Sequence, residues 1–211
     1  RTYGTPDDKE NLNDIKVTPD NGYITIGERY LSASPKKGEV GVLMKTDASG
    51  NPKWWKEYSQ NGNEAEGFSI LVAADQGYVI AGMMKELQDQ ANPFFKMQAQ
   101  TEHLYVLCTD KQGTSRWSGY LSGALSSKGI YVSGTSDNGY IITGHVYQSG
   151  ETANSTRICL LKLDQNGAMQ WLKIYDSEGG QEETGMVVTQ TQDNGFMVCG
   201  TTFDSGQGEA D

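Results

Sequence analysis

Apolar positions along the chain fall in short alternating runs, and four pairs of these runs flank an Asp-x-Gly step. Ile15 and Val17 precede the first step, and Tyr23-Ile24-Thr25-Ile26 follow it. The pattern returns with Ile70 and Val72 before Tyr78-Val79-Ile80, and with Ile130, Tyr131 and Val132 before Tyr140-Ile141-Ile142. It returns a last time with Val187-Val188 before Phe196-Met197-Val198. Period-2 runs rich in β-branched and aromatic residues mark strands. The steps themselves are Asp20-Asn21-Gly22, Asp75-Gln76-Gly77, Asp137-Asn138-Gly139 and Asp193-Asn194-Gly195. Asn-Gly between such runs predicts a hairpin with a type I′ turn, in which both central residues take positive φ. A glycine closes each following strand (Gly27, Gly82, Gly144, Gly200), where another backbone approaches or the strand bends. We label the two strands of each hairpin a and b.

A second signature, Asp-x-x-Gly-x-x-x-Trp, alternates with the first. Its copies are Asp47, Gly50 and Trp54, then Asp110, Gly113 and Trp117, then Asp164, Gly167 and Trp171. A tyrosine follows each Trp (Tyr58, Tyr120, Tyr175), and a third apolar run precedes each Asp: residues 42–45, 104–107 and 158–161. Each period thus holds four strands, with tight turns at a–b and c–d. Self-similarity at a fixed period identifies a repeat architecture. Here it predicts an all-β fold, a β-propeller of four-stranded antiparallel blades. Residues 11–58, 63–120 and 128–175 make three blades, and 182–211 make a partial one. Residues 1–4 read as the end of a preceding blade, since Tyr3 takes the place of Tyr58 and Tyr175. Closed propellers have about 4–8 blades, so the expectation over residues 1–211 is one arc: a partial propeller, a fragment of a larger one, or an assembly completed by other copies.

Strand alternation puts the tight a–b and c–d turns at one end of the blades and the longer b–c and d–a connections at the other. Binding residues favour loops on a rigid scaffold, so the loop end is the expected binding face. Its longest connection, residues 83–102, carries Phe94, Phe95 and Met97. Long loops in compact domains tend to be functional, and these three side chains are the candidate contact for a protein partner or another copy of the chain. The repeated tryptophans read as packing between blades, because aromatics of their size tie neighbouring sheets together. The repeated aspartates read as turn formers.

The chain has 211 residues, 26 of them glycine, with a formal charge of −10. Such an acid balance argues against nucleic acid, whose affinity comes from Lys and Arg on phosphate. No apolar run is long enough for a membrane-spanning helix. The cysteines are Cys108, Cys159 and Cys199, with Cys159 and Cys199 expected as buried packing. The histidines, His103 and His145, are expected at the surface beside loops, and no Cys/His cluster suggests a metal. Asp7, Asp8, Glu64, Glu66, Glu182 and Glu183 fall near the loop end as a solvated rim or a converging cation site.

Asp20-Asn21-Gly22-Tyr23-Ile24 with Gly27, then Lys45-Thr46-Asp47 through Trp54 to Tyr58, resembles the tandem propeller repeats of secreted and cell-surface bacterial proteins, abundant in Bacteroidetes. Residues 137–144 and 162–175 follow the same pattern. The middle repeat departs from it, with Cys108 in place of the Lys and Gln76 in place of the turn Asn. The resemblance implies export to the cell surface, periplasm or outer membrane, for example as a lipoprotein. It also implies a role in binding, adhesion or complex assembly. The Trp element is also similar to the docking repeat of quinoprotein propellers. The alternative is therefore a quinoprotein-like or carbohydrate-active enzyme. With no nucleophile–base pair and no calcium loop, the preferred expectation is a non-catalytic scaffold without a cofactor.

Overall fold

The computed structural model describes residues 3–4, 9–31, 38–59, 63–86, 101–121, 126–147, 156–175 and 182–203. These form fourteen strands, and no helix occurs among the described residues. Sheet I is the meander β1 (Lys9–Val17), β2 (Tyr23–Leu31), β3 (Gly38–Thr46) and β4 (Pro52–Tyr58). Sheet II repeats it with β5 (Glu64–Val72), β6 (Tyr78–Glu86), β7 (Thr101–Thr109) and β8 (Ser115–Tyr120). Sheet III has β9 (Ser127–Gly134), β10 (Tyr140–Tyr147), β11 (Thr156–Leu163) and β12 (Met169–Tyr175). The hairpin β13 (Glu182–Gln190) and β14 (Phe196–Phe203) joins sheet III through one parallel pair, Thr156 with Glu182, making six strands in all. Every other pairing is antiparallel. No helix among the described residues is long and apolar enough to cross a membrane.

The sheets stack through their first strands. Strand a of each unit packs across strands a, b and c of the unit before it, as β5 does on β1, β2 and β3. Ile24, Ile26 and Leu43 of sheet I meet Ile70 of β5 in one buried cluster. Val79, Ala81 and Val106 of sheet II meet Val132 of β9 in the next. Ile141 and Leu160 of sheet III meet Val188 of β13 in the third. These apolar residues hold equivalent places in the repeat, so the core is one interface used three times.

Close approach of the sheets depends on glycines in strand a. A Cβ on Gly67 would lie 2.2 Å from the Ile26 side chain, and one on Gly185 would lie 2.0 Å from that of Thr143. Each position pairs with the glycine that closes strand b (Gly67 with Gly82, Gly129 with Gly144, Gly185 with Gly200), immediately before a bulge. β1 carries Leu12 there instead, opposite Gly27. The closing glycines have the close backbone approach expected of them: a Cβ on Gly27, Gly82, Gly144 or Gly200 would fall 1.8–2.2 Å from a carbonyl oxygen of strand a.

Candidate functional site

The a–b turns differ from the type I′ expectation. Thr18 N–H donates to Gly22 O at 2.9 Å and Asn21 N–H to Thr18 O at 2.9 Å, and the other three turns repeat this pair of bonds. Only one residue per turn takes positive φ: Asn21, Gln76, Asn138 and Asn194, at 58–68°. Asn tolerates the left-handed region because its short polar side chain bonds locally, and Gln76 adopts the same geometry without that advantage. The glycine that follows serves space. A Cβ on Gly22, Gly77 or Gly139 would lie 2.2–2.4 Å from a carbonyl oxygen of strand c, while Gly195, in the two-stranded unit, would meet Thr191 Oγ1 at 2.9 Å.

The turn aspartates are held by cations from their own sheets. Lys45 Nζ, on a side chain 6% exposed, donates to both carboxylate oxygens of Asp20 (2.9 and 3.0 Å) and to Thr46 O (2.8 Å). Lys162 does the same to Asp137 (3.1 and 2.8 Å) and Leu163 O (3.1 Å). Sheet II has Cys108 at this place, and Arg116 of β8 donates to Asp75 instead. The strand-d position is Lys53 in sheet I, which adds a second cation to Asp20 at 2.8 Å, and Gln170 in sheet III. Hydrogen bonds from Lys53, then Thr18 and Lys45, hold the Asp20 carboxyl far below the usual carboxylate range. Lys162 and then Thr135 do so for Asp137, and Arg116 lowers Asp75. Asp193, with no strand-c partner among the described residues, is lowered by Thr191 and the Gly195 N–H.

The c–d turns follow one plan. Asp47 Oδ1 accepts the N–H groups of Ser49 and Asn51 at 2.9 and 2.8 Å, as Asp110 and Asp164 do in their turns. Gly50, Gly113 and Gly167 take φ of 77°, 74° and 83°, a region that favours glycine. The two signatures meet between units. Trp54 rests on Gly113 and lies 6.2 Å from the Tyr78 ring, and Trp117 rests on Gly167, 6.1 Å from Tyr140. Trp171 stands 5.6 Å from Phe196. Tyr58 Oη donates to Gly113 O at 2.5 Å, and Tyr3 Oη repeats that contact on Gly50 O at 2.7 Å. Residues 3–4 therefore sit against sheet I as the end of strand d of one unit sits against the next.

Two grooves open at this tight-turn end, in equivalent places. One, of about 300 Å³, lies between sheets I and II and is lined by Asp20, Lys45, Lys53, Trp54, Tyr78 and Lys111. The other, about 670 Å³, lies between sheets II and III beside Asp75, Cys108, Arg116, Trp117, Asn138 and Tyr140. A cysteine in place of the long lysine accompanies the larger volume. Nothing in the sequence singled these grooves out, because each needs side chains from two neighbouring repeats.

At the loop end, Phe94, Phe95 and Met97 lie outside the described residues. Glu64 and Glu66 converge, with Glu39 of sheet I, on the Lys85 ammonium, at 3.9, 2.7 and 2.5 Å. The cation they meet is a lysine of the chain itself. Burial, and then a hydrogen bond shared with Glu39, pushes the Glu66 carboxyl up to about 7. Among the described residues no group of three His, Cys, Asp or Glu side chains is arranged to hold a metal.

Three expectations need correction. His103 and His145 are buried, 3% and 9% exposed, His103 against the Tyr120 ring of its own sheet and His145 at the contact with the hairpin. His103 Nδ1 lies 3.2 Å from Leu121 O, and His145 Nδ1 lies 3.2 Å from Thr184 Oγ1 across the sheet III–hairpin contact. Burial, then the charge of Lys128, lowers His145 to about 4. Cys199 is exposed, since its side of β14 is uncovered. Cys108 and Cys159 are buried, and burial pushes their thiols up to about 11 and 12.

No protein-family profile and no curated protein matches the chain. Among solved structures it is similar to a crystal structure of a protein of unknown function from Bacteroides caccae, at a TM-score of 0.51 and 9% identity. The similarity covers 93% of this chain and 58% of that one, so this chain spans less than two thirds of that length. At this identity the likeness concerns the fold alone.

Proposed function

We propose that the chain is an arc of a β-propeller of the exported, cell-surface bacterial kind. In this reading it is a non-catalytic scaffold that binds protein partners through the connections at its loop end. The observation that carries the reading is how the repeat uses its reactive side chains. Asp20, Asp75 and Asp137 are each held by a lysine or arginine of their own sheet. The thiols of Cys108 and Cys159 are buried and remain protonated at neutral pH. His145 is buried and neutral between units. An enzyme tunes such groups toward its working pH, whereas here they are locked into turns and packing. The three stacked, antiparallel four-stranded units and the inter-unit tryptophans support the propeller reading.

The test compares wild type with a Phe94→Ser/Phe95→Ser double variant for proteins bound in envelope fractions of the source bacterium. A partner lost from the variant, with an unchanged melting temperature, supports the reading. A variant that keeps every partner overturns the loop assignment. Quinone absorbance in the purified protein, or reproducible turnover of a sugar substrate, overturns the non-catalytic reading.

A further inference from the structure

The two grooves at the tight-turn end are built from the same repeat positions and carry different linings. Between sheets I and II the charged lining is one carboxylate, Asp20, and three lysines, Lys45, Lys53 and Lys111. Between sheets II and III the equivalents of Asp20 and Lys53 are Asp75 and Arg116, which pair with each other. The equivalents of Lys45 and Lys111 are Cys108 and Gln165, so two cations are replaced by uncharged side chains and the lining is neutral. Sheet II packs against β9 of sheet III, and sheet III packs in turn against β13. The groove is therefore internal to the stack, and the repeats on its two sides set its lining.

One buried hydroxyl distinguishes this groove further. Tyr78 Oη, beside the groove between sheets I and II, donates to Lys111 O at 3.4 Å. Its equivalent Tyr140 is 8% exposed, and among the described residues Tyr140 Oη makes no hydrogen bond. Cys108, Asp75 and Arg116 of the same lining lie near enough to act on it; burial, then Cys108 and Asp75, push the hydroxyl up. A buried tyrosine ordinarily finds a partner for its hydroxyl. The rim around it is polar and fixed. Asn138 is held at φ 60° in its turn, and Asp164 Oδ1 accepts the Asn166 and Ala168 N–H groups at 2.8 Å. Asn138, Gln165 and Asn166 are all exposed there. Trp117 borders the groove as well, its ring 6.1 Å from that of Tyr140.

We infer that the groove between sheets II and III binds a neutral pyranose, as a free sugar or as one residue of a glycan chain. A pyranose offers apolar C–H faces to Trp117 and Tyr140. Its hydroxyls both donate and accept, which matches the three side-chain amides and Tyr140 Oη. Its lack of charge suits a lining in which Asp75 and Arg116 offset each other. An anionic ligand is better matched by the lysines between sheets I and II. The volume, about 670 Å³, lies within the range of about 300–1,000 Å³ for small-molecule sites. The groove shares no residue with the connection 83–102, so this binding is separate from the scaffold reading.

The test is a ligand-observed NMR titration of the whole 211-residue chain with glucose, galactose, mannose and N-acetylglucosamine, and with disaccharides of each. At least one binds with a dissociation constant of about 1 mM or below. Tyr140→Phe removes only the unpartnered hydroxyl, so it weakens that binding by about tenfold and leaves the melting temperature unchanged. Gln165→Lys, which restores a cation of the first groove, weakens it as well. Tyr78→Phe, the same change in the groove between sheets I and II, leaves it unaltered. A disaccharide held about tenfold more tightly than its monosaccharide identifies a glycan chain as the source, and equal affinities identify a free sugar; both uphold the pyranose site. A panel in which no sugar binds overturns the inference. Sugar binding that Tyr140→Phe and Gln165→Lys leave intact overturns it too, because the site then lies elsewhere. So does inorganic phosphate that binds more tightly than every neutral sugar and is weakened by Tyr140→Phe.

Discussion

In sheet III the turn carboxylate Asp137 is met from strand c by the buried Lys162, and the strand-d position nearby is Gln170. In sheet II strand c carries Cys108, and the cation comes from strand d as Arg116. Sheet I has both, with Lys45 and Lys53 on Asp20. What persists across the three four-stranded sheets is a cation on the turn aspartate, supplied by strand c, strand d or both. The sheet with cysteine on strand c borders a groove of about 670 Å³, against about 300 Å³ beside the lysines of sheet I.

The largest expected effect breaks the packing beside that groove. Trp117→Ala costs about 3–5 kcal/mol in urea unfolding, the range for a large aromatic lost from a core. Trp171→Ala costs about half as much, because among the described residues the hairpin beside it, β13–β14, carries exposed Met186, Val187 and Met197 and is less firmly held than sheet III. Equal costs would show the last contact to be as tight as the internal one.

Acid should separate the sheet III–hairpin contact from the rest. His145 is lowered from 6.5 to about 4, so between these pH values the unfolded chain binds a proton that the folded one excludes. Stability therefore rises with pH across that window and is lost as pH falls through it, by up to about 3 kcal/mol. Melting curves of His145→Gln should show a shallower acid slope than wild type. Parallel slopes would remove His145 as the cause.

A smaller effect sharpens the comparison of sheets directly. Lys162→Cys leaves Asp137 without a cation and costs about 2 kcal/mol, the scale of a charged hydrogen-bond group. Lys45→Cys costs under about 1 kcal/mol, because Lys53 remains on Asp20 in an exposed pair. Adding Gln170→Arg to Lys162→Cys rebuilds the arrangement of sheet II and recovers part of the loss, read as a double-mutant cycle. No recovery would mean that the lysine stem, and not its charge, holds the turn.

The smallest effect lies at the loop end. Glu66 is raised from 4.5 to about 7, so the folded state keeps a proton there that the unfolded state releases. Its contribution is present at low pH and lost as pH rises through that window. The Glu39 carboxyl that shares the site is lowered and offsets part of the effect, so Glu66→Gln should flatten this decline by about 1 kcal/mol, seen in melting temperatures from pH 5 to 8.

Much of the fold was legible because the repeat states it three times. Asp-x-Gly-aromatic and Asp-x-x-Gly-x-x-x-Trp placed the a–b and c–d turns, and period-2 runs placed the strands. The turn type was missed because Asn-Gly is compatible with more than one backbone path; all four turns, that of Gly195 included, take the path with a single positive φ and the same pair of backbone hydrogen bonds. The histidines and Cys199 were misplaced because burial here depends on which sheet lies over which, and alternation within one strand cannot report that.

Local chemistry, acting over a few residues, determined the strands, the turns, the four-strand unit and the order of the units. Hydrogen-bonding geometry and side-chain alternation are properties of neighbouring residues and can be read from them. The tertiary structure alone decided what each unit does to the next. It set Gly67 against Ile26, Trp54 on Gly113, and Arg116 in place of a lysine. Those relations depend on contact between surfaces distant in sequence, where an added Cβ meets a side chain some forty residues away.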